Sequence, residues 1–134
     1  QSYCTGNVGA MGVCIGGHLA FRAALNNDIR SAFCLYPTDI HSNTLPSEEG
    51  NDSFTRAEDI EGEVFLVFGK QDPHVPVEGR QKLYTHFQAI GLNYIWQEVN
   101  AQHAFMRDEG DRYDPALALE MYANAQKFFQ RTLA

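Results

Sequence analysis

Between an apolar run, Val8 to Val13, and a segment rich in Ala and Leu lies Gly12-Val13-Cys14-Ile15-Gly16-Gly17. This stretch predicts a strand, a sharp turn bounded by glycines and a helix, with one thiol at the apex. Flanking glycines suit such a turn because a Cβ would clash in its tight backbone path. A side chain held there stands clear of the sheet, and the positive end of the helix dipole favours negative charge beside it. The pattern reads as a nucleophile elbow with Cys where Ser is usual. Alone it is short, and cysteine is also a frequent core residue. The rest of the chain must therefore supply the context.

Strand and helix signals alternate along the chain, as expected for a parallel sheet covered on both faces. Asn7 to Gly12 is the first predicted strand and Gly17 to Asn26 the first helix. Ile29 to Tyr36 is a second strand, stopped by Pro37. Thr38 to Asp59 is polar and reads as a long surface loop, a length usually kept for function or mobility. Glu63 to Gly69 is almost continuously apolar, as expected of a strand buried on both faces. Val77 to Ile90 reads as a helix closed by Gly91, and Asn93 to Val99 as a fourth strand. Pro115 to Leu133 is a last helix, with Pro115 in its first turn. Its Leu117, Met121, Ala125, Phe128 and Phe129 recur at helical spacing and read as core.

With 134 residues the chain is long enough for one domain with one core. Its net charge of −7 offers no basic stripe for nucleic acid. No apolar run is long enough to span a bilayer, and no secretory leader pattern is present, so a cytoplasmic location is the expectation. Cys4, Cys14 and Cys34 are an odd set without CxxC spacing, which argues against a disulfide framework or a zinc knuckle. Cys34, in the run Ser31 to Tyr36, reads as core.

A thiol nucleophile needs a base and a group that orients the base. The third strand runs into Gly69-Lys70-Gln71-Asp72-Pro73, and the fourth into Asn100-Ala101-Gln102-His103-Ala104-Phe105. In a parallel sheet Cys14, Asp72 and His103 all emerge at carboxyl ends of strands, the edge on which such sheets build their sites. The order nucleophile, acid, histidine is that of an α/β-hydrolase. Asp72 would also serve as a turn residue before Pro73, and His103 as an ordinary loop histidine. A metal site from Asp72, His74 and His103 is a further alternative, but no recognised ligand spacing supports it.

Three segments carry a resemblance to a known family. They are Met11 to His18, then Phe68-Gly69-Lys70-Gln71-Asp72-Pro73-His74-Val75-Pro76, then Ala101 to Phe105. In order and spacing the chain resembles the dienelactone hydrolases (carboxymethylenebutenolidases), within the α/β-hydrolase fold. The resemblance implies Cys14 as nucleophile, His103 as base and then acid, and Asp72 as the group holding the tautomer of His103. It implies attack on an ester or lactone through an acyl-thioester, with the Ile15 N–H as one oxyanion donor. It further implies a small anionic substrate, with Arg107 matching an arginine that holds its carboxylate, and no cofactor or metal. A solvated loop arginine beside Asp108 and Glu109 is the plainer reading of Arg107.

An elbow at position 14 leaves no room for the strands and helices that precede it in this family. The expectation is therefore a partial domain, residues 1–134, equivalent to the C-terminal half of the fold, with about four parallel strands flanked by helices. The other half would bring the second oxyanion donor, another substrate arginine and the glutamate that activates the thiol. The first residue, Gln1, is not an initiator Met and agrees with a piece of a longer chain. The first strand would be left with an open edge, a liability in a parallel sheet. It would be covered by a second copy or a complementing N-terminal segment. A truncated remnant that self-associates without catalysis and a broad carboxylesterase are the competing functions.

Overall fold

The computed structural model describes residues 2–134. Four strands form one parallel sheet in the order β1-β2-β3-β4: β1 Val8–Val13, β2 Ile29–Leu35, β3 Glu63–Gly69 and β4 Tyr94–Val99. Helices α1 Ile15–Ala23, α2 Ser53–Arg56, α3 Val77–Ile90 and α4 Pro115–Thr132 complete the chain, with a 3-10 turn at Ala57–Asp59. Each long helix is a crossover or flank of a parallel pair, which gives the three-layer α/β arrangement expected.

Strand alternation explains the two cores. Ala32 and Cys34 of β2 and Val64, Leu66 and Phe68 of β3 point to one face, where Ala20 and Phe21 of α1 and Leu83 and Phe87 of α3 cover them. Phe33, Leu35, Phe65 and Val67 point the other way, onto Met121, Ala125 and Phe128 of α4. Phe33 is the centre of that layer, with ring centroids 4.5 Å from Phe65 and 5.9 Å from Phe128. From Ala32 to Leu35 in β2 and from Val64 to Phe68 in β3 both faces are buried, so these stretches read as apolar runs.

The caps follow local chemistry. Gly91 ends α3 at φ 67°, the left-handed position that glycine fills without strain. Asp114 opens α4 by accepting a hydrogen bond from Leu117 N–H, with Pro115 in the first turn. Among the described residues no helix is long and apolar enough to cross a membrane.

Two expectations are corrected here. The first helix starts at Ile15, not Gly17, because Cys14 itself is the residue that turns the chain into it. The segment 38–59 is not a surface loop throughout. It carries α2 and the 3-10 turn, and buries Thr38, Ile40, Asp52, Ser53 and Ala57. Several of its polar residues make internal bonds. Asp52 caps α2 by accepting from Thr55 N–H and Thr55 Oγ1, and Arg22 donates to Asn51 O.

His18 on α1 fastens this segment. Its Nδ1 lies 2.7 Å from Thr38 O and its Nε2 2.6 Å from Ser53 Oγ. A carbonyl only accepts, so Nδ1 carries the proton and the Ser53 hydroxyl donates to Nε2. Burial lowers the His18 pKa below its ordinary 6.5, outweighing the bond to Thr38. The unfolded chain then binds the proton more tightly than the folded one. The stability tied to neutral His18 is complete above about pH 6.5 and is lost as pH falls below it. The melting temperature is expected to drop between pH 7 and 5, and His18→Asn to flatten that slope. An unaltered slope in the variant would refute the assignment.

Candidate active site

Cys14 sits at the carboxyl end of β1 with φ 58° and ψ −125°, a conformation rare for a residue with a Cβ. Holding it there costs roughly 1–3 kcal/mol, and the surroundings over-determine it. Cys14 N–H donates to Leu35 O at 3.0 Å, and Cys14 O accepts from His18 N–H at 3.2 Å. A Cβ on Gly12 would lie 2.0 Å from Gly16 O, and one on Gly17 would lie 2.7 Å from Leu35 O. Gly16 differs: a Cβ there meets nothing within 4 Å. The tight contacts of the turn therefore fall on Gly12 and Gly17, not on the symmetric pair around the thiol.

Asp72 and His103 reach Cys14 from the far side of the sheet. The ladder between β3 and β4 continues past both strands, with Lys70 N–H donating to Val99 O and Gln71 N–H to Ala101 O. A Cβ on Gly69 would come 2.4 Å from Ala101 O, so only glycine allows the two loops to close this tightly. Asp72 is 3% exposed and His103 5%. Asp72 Oδ1 accepts from His74 N–H, and Oδ2 lies 2.7 Å from His103 Nδ1. That carboxylate makes Nδ1 the protonated nitrogen and leaves Nε2 as an acceptor, 3.2 Å from Cys14 Sγ.

The structure thus brings together all three residues singled out in the sequence. Asp72 and His103 bond each other, while His74 contributes its backbone N–H and a ring 4.4 Å from that of His103. Among the described residues no group of three or more His, Cys, Asp or Glu is placed to hold a metal ion. Ile15 is the first residue of α1, so its N–H has no acceptor within the helix and lies next to the thiol's own residue. Cys34 is fully buried in the core between the sheet and α1, and Cys4 is exposed.

The thiol and His103 line a cleft of about 600 Å³, together with Met11, Val13, Tyr36 and Tyr122. Arg107 lines it too, at the place the sequence pointed to, and so does Arg112, which the sequence reading passed over. In the sequence Tyr36 reads only as a strand residue. It follows the last residue of β2 at φ 36°, and its ring stands edge-on to His103 and to Phe105, both at 5.1 Å. Burial pushes its phenol up to about 12, so it stays protonated at neutral pH. Its position just past a strand's carboxyl end was the available signal.

A cysteine at a strand–helix turn, with aspartate and then histidine following along the chain at the carboxyl edge of a parallel sheet, is the arrangement of an α/β-hydrolase-type site. A sequence model of the dienelactone hydrolase family matches residues 1–133, and the chain belongs to that family. It is 38% identical over 132 residues to a Saccharomyces cerevisiae protein named "Putative carboxymethylenebutenolidase", covering 94% of this chain and 48% of that one. It is 26% identical to the Pseudomonas putida carboxymethylenebutenolidase over 113 residues, 84% of this chain and 44% of the relative. The chain therefore spans about half the length of the curated relatives it matches. A Klebsiella pneumoniae crystal structure named "Putative Dienelactone Hydrolase" superposes with a TM-score of 0.79 at 20% identity, over 90% of this chain and 50% of that one.

Proposed function

We propose that this chain supplies the catalytic residues of a thiol hydrolase that cleaves a small ester or lactone. The observation that carries the reading is the unbroken line from Asp72 through His103 to Cys14, with contacts of 2.7 and 3.2 Å. In the first half-reaction Cys14 Sγ attacks the carbonyl carbon as His103 Nε2 takes the thiol proton. The Ile15 N–H stabilises the oxygen that becomes negative. His103 then returns the proton to the departing alkoxide, leaving an acyl-thioester. In the second, His103 draws a proton from water, the hydroxide displaces Cys14, and the thiol is restored with the carboxylic acid released. Asp72 holds His103 in the required tautomer throughout and stabilises the imidazolium.

Arg107 in the cleft supports an anionic substrate. In Arg107→Ala the ratio of kcat/KM for an anionic over a neutral ester is expected to fall about tenfold or more. Equal losses on both would remove the carboxylate-binding role and favour a broad carboxylesterase.

The assembled contact is testable without turnover. Cys14 in the intact protein is expected to react with iodoacetamide faster than Cys4, although Cys4 is the more exposed, and His103→Ala is expected to slow Cys14 by about tenfold or more. Equal rates at Cys14 and Cys4, read by peptide mass spectrometry, would count against the triad.

We also infer that the working unit places a strand against β1. Among the described residues only β2 pairs with it, and Val8, Met11 and Val13 are 48%, 43% and 44% exposed. Parallel strands are ordinarily covered on both faces and both edges of a central position, so a complementing N-terminal segment or a second copy fits this edge.

A further inference from the structure

The cleft is cationic in an otherwise acidic chain. Its lining includes two arginines, Arg107 and Arg112, and no Asp or Glu, although the net charge of the protein is −7. The other arginines drawn in from solvent are all engaged. Arg22 donates to Asn51, Arg56 to Asp59 and Asn51, and Arg80 to Glu98 and to Val75 O. Arg112 is likewise partly buried, yet among the described residues its guanidinium has no hydrogen-bond acceptor and no ion-pair partner. Asp108, Glu109 and Asp111 on the same loop are exposed and do not pair with it. A guanidinium presents five donors in a planar fork that suits a carboxylate, and withdrawing it from water without an acceptor is unfavourable.

We propose that Arg112 is a second anion-binding residue of the cleft, and that the ester taken there carries two carboxylates, one for each arginine. This rests on the reading of Cys14 as the nucleophile of the same cleft. Arg112 touches the substrate away from the scissile carbonyl, so it acts on which substrate is held and not on proton transfer.

The test uses the intact protein with three p-nitrophenyl esters: the acetate, which is neutral, the monoester of succinate, with one carboxylate, and the monoester of tricarballylate, with two. In Arg112→Gln the ratio of kcat/KM for the dianionic over the neutral ester is expected to fall about tenfold to a hundredfold, the range for a charged hydrogen-bonded pair. The ratio for the monoanionic ester should fall less, and Arg112→Lys should recover part of the loss. Ratios that hold within about twofold overturn the proposal, as they would if Arg112 served only to pair a carboxylate elsewhere in the protein.

A second readout needs no turnover: protection of Cys14 from iodoacetamide by glutarate. Protection is expected to need at least about tenfold more glutarate in Arg112→Gln. Arg112-dependent protection without hydrolysis of any ester would keep the anion site and remove the hydrolase reading. Cys14-dependent hydrolysis with no effect of Arg112 on ratios or protection would do the reverse. The absence of both would overturn both.

Discussion

Cys14→Ala is expected to lower the turnover of p-nitrophenyl acetate by the intact protein at least about a thousandfold. Among the described residues Sγ is the hydrogen-bond partner of His103 Nε2, at 3.2 Å, and Nε2 is left free to accept because Asp72 fixes the proton on Nδ1. His103→Ala should cost nearly as much, since the proton then has nowhere to go. Combining the two changes should add little, because residues that act as a unit are strongly non-additive. Asp72→Asn should fall by about a hundredfold or more through the wrong tautomer, with the fold kept. A Cys14→Ala protein retaining more than about a tenth of the rate would mean that another group carries the reaction.

The second large effect falls on folding. Gly12→Ala is expected to destabilise the protein by about 3 kcal/mol or more. The added methyl would lie 2.0 Å from Gly16 O and 2.3 Å from Gly16 C, both backbone atoms of the first turn of α1. Neither can retreat without moving Cys14, which is pinned by its N–H to Leu35 O and its C=O to His18 N–H. The melting temperature should fall by about 10 °C or more. Gly16→Ala is the control. Its methyl would meet nothing within 4 Å, and alanine suits a helix better by up to about 1 kcal/mol, so its melting temperature should hold or rise. Equal losses at the two positions would show that the turn is not closed by the Gly12 contact.

The two glycines also show how far the sequence was readable. The elbow, its thiol and the chain order of Asp72 and His103 were legible because a parallel sheet gathers the ends of its strands on one edge. Periodicity gave β2, β3, α3 and α4 within a residue or two, since their apolar runs and their Gly and Pro stops are local signals. Which glycine is obligatory was not legible, because the contacts of Gly12 and Gly17 are with backbone on other elements. The burial within segment 38–59 is hidden from the sequence for a similar reason. Its polar residues suggested solvent, but Asp52, Ser53 and Thr38 bond to α2 and to His18, partners that only the fold supplies. Arg112 carries no mark at all in the sequence. Its meaning comes from where the loop after β4 lays it, against the cleft and away from every acceptor its fellow arginines have found.

The three site residues are not held alike. Asp72 and His103 hang from the neighbouring strands β3 and β4 and bond each other, whereas Cys14 comes from β1, at the opposite margin of the sheet. The carboxylate and imidazole therefore form a standing pair, and the thiol is a separate part brought up to it by the sheet. Loosening at the margin would part sulfur from nitrogen before it disturbed the pair. Whatever covers that margin would then govern reactivity from outside the cleft, without touching substrate, by setting how steadily the nucleophile is offered to its base.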